Sequence, residues 1–139
     1  IADIHFEQRA FIEAQSAYQL FLEFHPRHEK SDYAAFRLGM SFFKQLPSTV
    51  DRDLSVAESA IAMFDQVIRQ FPSSEYAQKA RERKGEALRM LAEKEYYVAD
   101  FYFTRDFYGS ALKRFEFLLQ NYPNVGLGPP ALYGAAISA

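Results

Sequence analysis

The sequence predicts an all-α protein made of antiparallel helix pairs that stack as repeats. Three segments share one spacing, in which an Ala is followed after three residues by an aromatic residue and after seven more by a Pro. Within each segment the apolar residues recur with the 3.6-residue period of a helix that buries one face. We therefore interpret each segment as the second helix of a repeated pair. The segments are Ala14-x3-Tyr18-x7-Pro26, Ala60-x3-Phe64-x7-Pro72 and Ala111-x3-Phe115-x7-Pro123.

A first helix is predicted upstream of each segment. Each upstream stretch has a small residue followed three positions later by an aromatic ring or His, as at Gly39 and Phe42. The small residue lets two antiparallel helices approach closely, and the ring fills the space beside it. Each second helix should end before its Pro, because the residue preceding Pro is disfavoured in the helical region. The other two first-helix pairs are Ala2/His5 and Ala99/Tyr102.

These elements predict a single repeat array over residues 1–139. The connection 45–53 is rich in Pro, Ser, Thr and Asp and is predicted to be a loop, with Asp53 capping the next helix. Pro129 and Pro130 predict a last helix that starts at Ala131. The predicted divisions are a truncated repeat 1 (1–26), repeat 2 (31–72, with the loop 45–53), repeat 3 (74–123) and the start of repeat 4 (129–139).

One unusually long helix is predicted over residues 74–104. Only Gly85 interrupts its good helix formers, and a helix interior tolerates one Gly at a cost of about 1 kcal/mol. At 1.5 Å per residue the helix would be about 46 Å long. A break between Gly85 and Leu91 is the alternative.

Composition excludes several classes of protein. Sixteen Lys and Arg against 18 Asp and Glu give a net charge of −2, so no basic footprint for nucleic acid is present. Cysteine is absent, which excludes disulfides and thiolate sites. No apolar run reaches the roughly 18 residues that a membrane span requires. The sequence begins at Ile1 without a Met or a leader, so we expect a processed chain or a piece of a longer one.

The sequence offers weak candidates for chemistry. His25, His28 and Glu29 could hold zinc, but a third strong ligand is missing and a helix C-terminus beside a solvated turn is favoured. Gly126-x-Gly128 is followed by two prolines and does not form a phosphate loop. No Ser follows a nucleophile elbow. We therefore predict a protein that is not an enzyme and that carries no metal or cofactor.

The aromatic residues are the informative feature. Seven rings fall within 13 residues, and a single helix face about 100° wide cannot bury all of them against one neighbour. Some of these rings must therefore face a second surface. They are Tyr96, Tyr97, Phe101, Tyr102, Phe103, Phe107 and Tyr108.

The repeated residues resemble the tetratricopeptide repeat, whose pattern recurs as Leu38-Gly39-x2-Phe42 and Val98-Ala99-x2-Tyr102. That family implies a superhelix whose inner wall, formed by the first helices, binds extended or helical peptides. Rim contacts to a terminal carboxylate are expected from Arg37 and Lys44. The alternative is that the wall residues pack on the long connection or on the next repeat. The predicted wall residues are Phe6, Phe36, Met40, Phe43, Tyr96, Asp100 and Phe103.

A narrower resemblance covers most of the chain. Asp51-Arg52-Asp53, Leu91-Ala92-Glu93-Lys94-Glu95-Tyr96-Tyr97-Val98-Ala99 and Tyr122-Pro123 resemble the BamD family, also called YfiO or ComL-like. Members are lipoproteins of the bacterial β-barrel assembly machinery. The sequence lacks the family's lipidated N-terminal Cys and its C-terminal repeats, so we expect an N-terminal and central part of such a protein.

This resemblance implies a scaffold on the periplasmic face of the outer membrane, held there by a lipid anchor absent from this sequence. It implies partners as well: the POTRA domains of BamA, other lipoproteins of the machinery, and C-terminal segments of unfolded outer-membrane proteins. The loop Asp51, Arg52 and Asp53 is the expected contact to a neighbouring subunit. A periplasmic adaptor of the Tol-Pal coordinator type and an enzyme built on a helical solenoid are the alternatives.

Overall fold

The computed structural model describes residues 1–49, 52–124 and 126–139, and over these residues it confirms the all-α fold. Consecutive helices pack against each other, as expected for a tetratricopeptide-like helical repeat. The seven helices of the described chain are α1 (Ala2–Glu7), α2 (Phe11–Phe24), α3 (Ser31–Phe43), α4 (Ser55–Gln70), α5 (Glu75–Thr104), α6 (Tyr108–Asn121) and α7 (Gly128–Ser138).

The second helices of the three pairs end in the same way. The residues that follow α2, α4 and α6 are His25, Phe71 and Tyr122, with φ of −135°, −130° and −132° and ψ of 56°, 55° and 55°. Each precedes a Pro, which pushes it out of the helical region. The predicted helix ends are therefore confirmed, and a single backbone conformation recurs at all three.

Two of the turns inside the pairs are also alike. Arg9, between α1 and α2, and Asp106, between α5 and α6, both have a φ of 63°. In each turn the next N–H reaches back five residues, from Ala10 to the His5 carbonyl and from Phe107 to the Tyr102 carbonyl. This is the Schellman ending, which usually places Gly at the left-handed position. Helices α3 and α4 are joined by the longer connection 44–54 instead of this short turn.

Helix α5 is continuous from Glu75 to Thr104, which confirms the predicted long helix. A Cβ added at Gly85 would meet no atom within 4 Å. This glycine is exposed and makes no close approach that would bend the helix. The alternative break between Gly85 and Leu91 is absent.

Two helix starts differ from the predictions. Helix α4 begins at Ser55 with Leu54 at the N-cap position, so the predicted cap at Asp53 is one residue too early. Leu54 is 3% exposed, and its burial sets where the helix begins. Helix α7 begins at Gly128, three residues before Ala131, because Pro129 and Pro130 fit its first turn, where a missing N–H costs nothing.

The described chain divides into two compact units within α5. Unit 1 comprises Ile1–Pro47 and Leu54–Ala87. Its core is centred on Phe64, which is fully buried, and α3 can lie close to that ring because Gly39 has no side chain. The buried residues of this core are Ala35, Phe36, Met40, Ala60, Phe64, Val67 and Ala80.

Unit 2 comprises Ser48–Asp53 and Leu88–Ala139. Its core is centred on Phe115, which is 2% exposed. The close approach here comes from α7, where Gly134 lies over the Phe115 ring. The buried residues of this core are Ala99, Ala111, Phe115, Leu118, Ala131 and Ala135.

Candidate peptide-binding site

The first candidate site is on unit 1, where α1 meets α3. The Arg37 guanidinium carbon lies 3.8 Å from the centre of the Phe6 ring and 5.5 Å from that of Tyr33. One Arg37 nitrogen also donates to Glu7 at 3.3 Å. We call these four residues, Phe6, Glu7, Tyr33 and Arg37, the Arg37 cluster. In it, two aromatic rings and a carboxylate contact one guanidinium.

The two partners of the Arg37–Glu7 ion pair differ in exposure. Glu7 keeps 77% of its side chain exposed, so its ion pair is a surface pair that contributes little. The Arg37 side chain is only 19% exposed, and its Nε is buried without a hydrogen-bond partner among the described residues. Because Nε is buried, the exposed Glu7 pair is the part of the cluster that a ligand can reach.

A second polar network lies beside the Arg37 cluster. The Asp3 carboxylate accepts hydrogen bonds from the hydroxyls of both Tyr18 and Tyr33. The Tyr18 bond is the largest cause that holds the pKa of Asp3 below its ordinary value; burial opposes it and the Tyr33 bond adds to it. Burial, together with the bond to Asp3, raises the pKa of Tyr18. The network ties α1 to α2 and α3.

The wall residues of α3 separate into buried and accessible positions. Phe36 is 8% exposed and Met40 6%, and both belong to the core of unit 1. Phe36 contacts the rings of Phe64 and Tyr76, with centroid distances of 5.9 and 5.5 Å. The Phe64 ring belongs to α4 and the Tyr76 ring to the long helix α5.

The remaining α3 candidates are accessible. Phe43 is half-buried and packs on Phe64 at 6.4 Å between ring centres. The Arg83 guanidinium lies 5.7 Å from the Phe43 ring centre. Lys44, predicted at the rim, is exposed directly after the end of α3. Among the predicted rings of unit 1, Phe6 and Phe43 are thus half-buried, whereas Phe36 is buried.

In unit 2, α5 carries five of the seven clustered rings. Tyr96 and Phe103 are half-buried and pack against the core. The ring centres of Tyr96 and Phe115 are 5.7 Å apart, and those of Phe103 and Tyr108 are 5.5 Å apart. Asp100 is exposed. Four of the seven rings are 41–59% exposed, namely Tyr97 and Phe101 on α5, Phe107 before α6 and Tyr108 at its start. The seven rings therefore do not all lie on one helix.

The Asp51-Arg52-Asp53 loop is described in part, because Asp51 lies outside the described residues. Arg52 and Asp53 are both exposed. The Lys94 ammonium of α5 donates to the Arg52 carbonyl at 2.7 Å. A side chain of the long helix therefore holds the loop backbone.

The histidine candidates form a helix end. His25 and His28 are exposed, and both rings pack on Phe21, at 5.4 and 5.3 Å between ring centres. His28 Nδ1 accepts the N–H of Lys30 at 3.0 Å. One imidazole nitrogen therefore closes the turn that leads into α3.

Sequence reasoning missed Asp3, Glu7, Tyr18 and Tyr33. A signal exists, since Asp3 and Glu7 on α1 and Tyr33 and Arg37 on α3 are each four residues apart and so share a helix face. Which faces meet depends on the pairing of the helices, and the periodicity does not contain that information.

In the described residues no helix has the length and apolar character needed to cross a membrane.

The fold is that of a helical-repeat protein. Residues 3–135 match the YfiO family, described as outer membrane lipoprotein, and the chain belongs to this family. The resemblance read from the sequence is thereby confirmed. The match favours it over an adaptor of the Tol-Pal coordinator type.

Curated relatives carry the name outer membrane protein assembly factor BamD. That of Vibrio cholerae is 29% identical over 113 residues, which cover 75% of this chain and 47% of the relative. The relative from Neisseria meningitidis serogroup A is 29% identical over 120 residues, which cover 80% of this chain and 45% of the relative. The relative from Caulobacter vibrioides is 26% identical over 129 residues, which cover 93% of this chain and 42% of the relative. The chain spans less than half the length of these relatives.

Proposed function

We propose that the chain is part of a non-catalytic outer membrane protein assembly factor. It acts at the periplasmic face of the outer membrane, as a scaffold for the assembly machinery and as a receptor for client segments. The observation that carries this proposal is the YfiO match over residues 3–135, supported by relatives named as assembly factors.

For client recognition we propose the α1–α3 surface of unit 1. The Arg37 cluster already combines a ring and a carboxylate on one guanidinium. A client segment that ends in an aromatic residue would present the same two groups. Because the Glu7 pair is exposed, a client carboxylate can replace it at little cost. Phe43 and Lys44 would extend the contact toward the end of α3.

A labelled C-terminal peptide of an outer-membrane protein, with Phe as its last residue, tests client recognition. We expect Arg37→Gln and Phe43→Ala each to weaken binding, and Glu7→Gln to strengthen it by removing the competing carboxylate. Phe117→Ala is the matched control, because this ring is 44% exposed on α6 and outside the proposed surface. Phe36→Ala is unsuitable, since Phe36 is part of the core.

An amidated peptide identifies the role of Arg37. If the guanidinium meets the terminal carboxylate, amidation and Arg37→Gln remove the same interaction, and their effects are not additive. Equal binding by the parent, Arg37→Gln and Phe43→Ala chains, each folded by circular dichroism, would refute this surface as the client site.

The partner in the machinery is proposed to be the POTRA region of BamA, with the exposed loop residues Arg52 and Asp53 as a contact. Co-purification with the POTRA domains tests this. We expect Arg52→Ala to reduce recovery, with exposed Arg27→Ala as control. Full recovery with Arg52→Ala would remove the loop from the contact while leaving the scaffold role intact.

A further inference from the structure

A row of large side chains runs along the second half of α5 in unit 2. Lys94, Tyr97, Phe101 and Arg105 are spaced three, four and four residues apart, so they share one face of the helix. At 1.5 Å per residue this row is about 16 Å long. It has a cation at each end and two aromatic rings between them.

The rings continue into the turn after α5. The ring centres of Phe101 and Tyr102 are 5.8 Å apart, and those of Tyr102 and Phe107 are 6.4 Å apart. Tyr97, Phe101 and Phe107 are 49%, 41% and 59% exposed. Single exposed apolar residues are ordinary, whereas contiguous rings at a surface mark an interaction site. We call the four residues of the row, together with Phe107, the α5 stripe.

The α5 stripe carries positive charge. The Arg105 guanidinium carbon lies 3.7 Å from the centre of the Phe101 ring. In the described residues neither Lys94 nor Arg105 forms an ion pair, and the neighbouring Glu93 and Glu95 already pair with other cations. The Lys94 ammonium donates to a loop carbonyl, which does not balance its charge. A partner of the stripe should therefore offer negative charge beside apolar groups.

Two further carboxylates near the end of α5 do not belong to the stripe. Asp106 accepts the Tyr108 hydroxyl at 2.7 Å. Asp100 is one residue before Phe101, which places it about 100° around the helix and on another face. Among the described residues neither carboxylate pairs with Arg105. The positive charge at the end of α5 is therefore open to an external anion.

The end of the stripe lies at an open edge of unit 2, because residues 104–110 are all exposed. Peptides bind in grooves or along strand edges, whereas a membrane surface can cover an open edge. Aromatic rings and Lys or Arg side chains are the groups that proteins place at lipid headgroups. The YfiO family is described as outer membrane lipoprotein, a description that sets its members beside a lipid surface.

We propose that the α5 stripe contacts anionic lipid at the membrane surface, with its rings at the level of the headgroups and its two cations on the phosphates. The proposal rests on the location given under the proposed function and adds a side-chain contact to it. A lipid anchor alone holds a protein near the membrane, whereas a contact through side chains also orients it.

Flotation with anionic vesicles of phosphatidylethanolamine and phosphatidylglycerol tests the proposal. We expect Arg105→Gln to lower the partition coefficient about fivefold. Phe107→Ser should lower it about tenfold by removing a largely exposed ring, and Ser suits the N-cap position of α6 that Phe107 occupies. Phe117→Ser and Arg27→Gln are the matched controls, since both residues are exposed outside the stripe, and they should float like the parent.

Raised salt separates the two contributions. Salt screens the headgroup charge, so Arg105→Gln should converge with the parent, whereas Phe107→Ser should stay weaker. A parent that does not float, or variants that float as well as the controls, would overturn the proposal. If the parent does not float and Phe107→Ser instead reduces recovery with the POTRA domains, the stripe is a protein contact and the proposal is wrong. The peptide titration and the co-purification contain no lipid, so failure of the proposed function shows in them, and failure of the lipid contact shows only with vesicles.

Discussion

Phe64 and Phe115 occupy the same position in the repeat pattern, yet different helices make the close approach to each ring. Over Phe64 the close approach comes from Gly39 in the first helix of the same pair, where an added Cβ would lie 2.7 Å from the ring. Over Phe115 it comes from Gly134 in the following helix, at 2.5 Å. The motif therefore specifies a buried ring, and the tertiary fold chooses which neighbouring helix must be small.

The largest expected effect is loss of the ring itself. Phe64→Ala and Phe115→Ala each leave a cavity in a closely packed core, and we expect a cost of about 3–5 kcal/mol. Phe64, which is completely buried, should be at the upper end. Urea unfolding measures both variants, with exposed Phe117→Ala as the control for losing a ring. Costs below that of the control would mean that neither ring supports a core.

Overpacking of the two glycines comes next. Gly39→Ala and Gly134→Ala push a Cβ into a ring, at about 1–3 kcal/mol, while Ala improves helix propensity by about 1 kcal/mol. We expect net destabilisation in both, which thermal unfolding detects. If only one variant is destabilised, the ring in the other unit has room to move and the two approaches are not equivalent.

For Gly85 we expect the opposite effect of an Ala substitution. It occupies the interior of α5 with no atom within 4 Å of an added Cβ. Gly85→Ala should therefore stabilise the chain by up to about 1 kcal/mol, the propensity gain without overpacking. The same thermal series measures it. A destabilised Gly85→Ala would indicate that α5 needs the flexibility of glycine at this point.

The smallest effect concerns unit 1 alone and depends on pH. Hydrogen bonds lower the pKa of Asp3 in the folded chain. Its carboxylate therefore adds stability above the ordinary Asp pKa of about 3.9, and this stability is lost as pH falls through the lowered folded value. We expect the Tm difference between the parent and Asp3→Asn to shrink from pH 7 to about pH 3. Exposed Glu23→Gln is the control, and a pH-independent difference would contradict the account.

The candidate site was predictable only in part. Phe43, which the inner-wall register selects, and Arg37, which is predicted at the rim, are both partly exposed on α3. The same register also selects Phe36 and Met40, which are core residues. Position on one helix face is a local property. Whether that face meets solvent depends on α5, which brings Tyr76 onto Phe36 from 40 residues away.

The helices could be predicted from the sequence alone because local interactions determine them. Apolar residues with a 3.6-residue period, prolines that exclude the preceding residue from the helix, and a single tolerated glycine in α5 act within a few residues of themselves. Tertiary structure decided which rings are covered, that Gly134 must be small, that Lys94 holds the Arg52 carbonyl, and that Phe6 and Glu7 share one guanidinium. Each of these contacts joins residues of different segments, and its geometry exists only after the helices have packed.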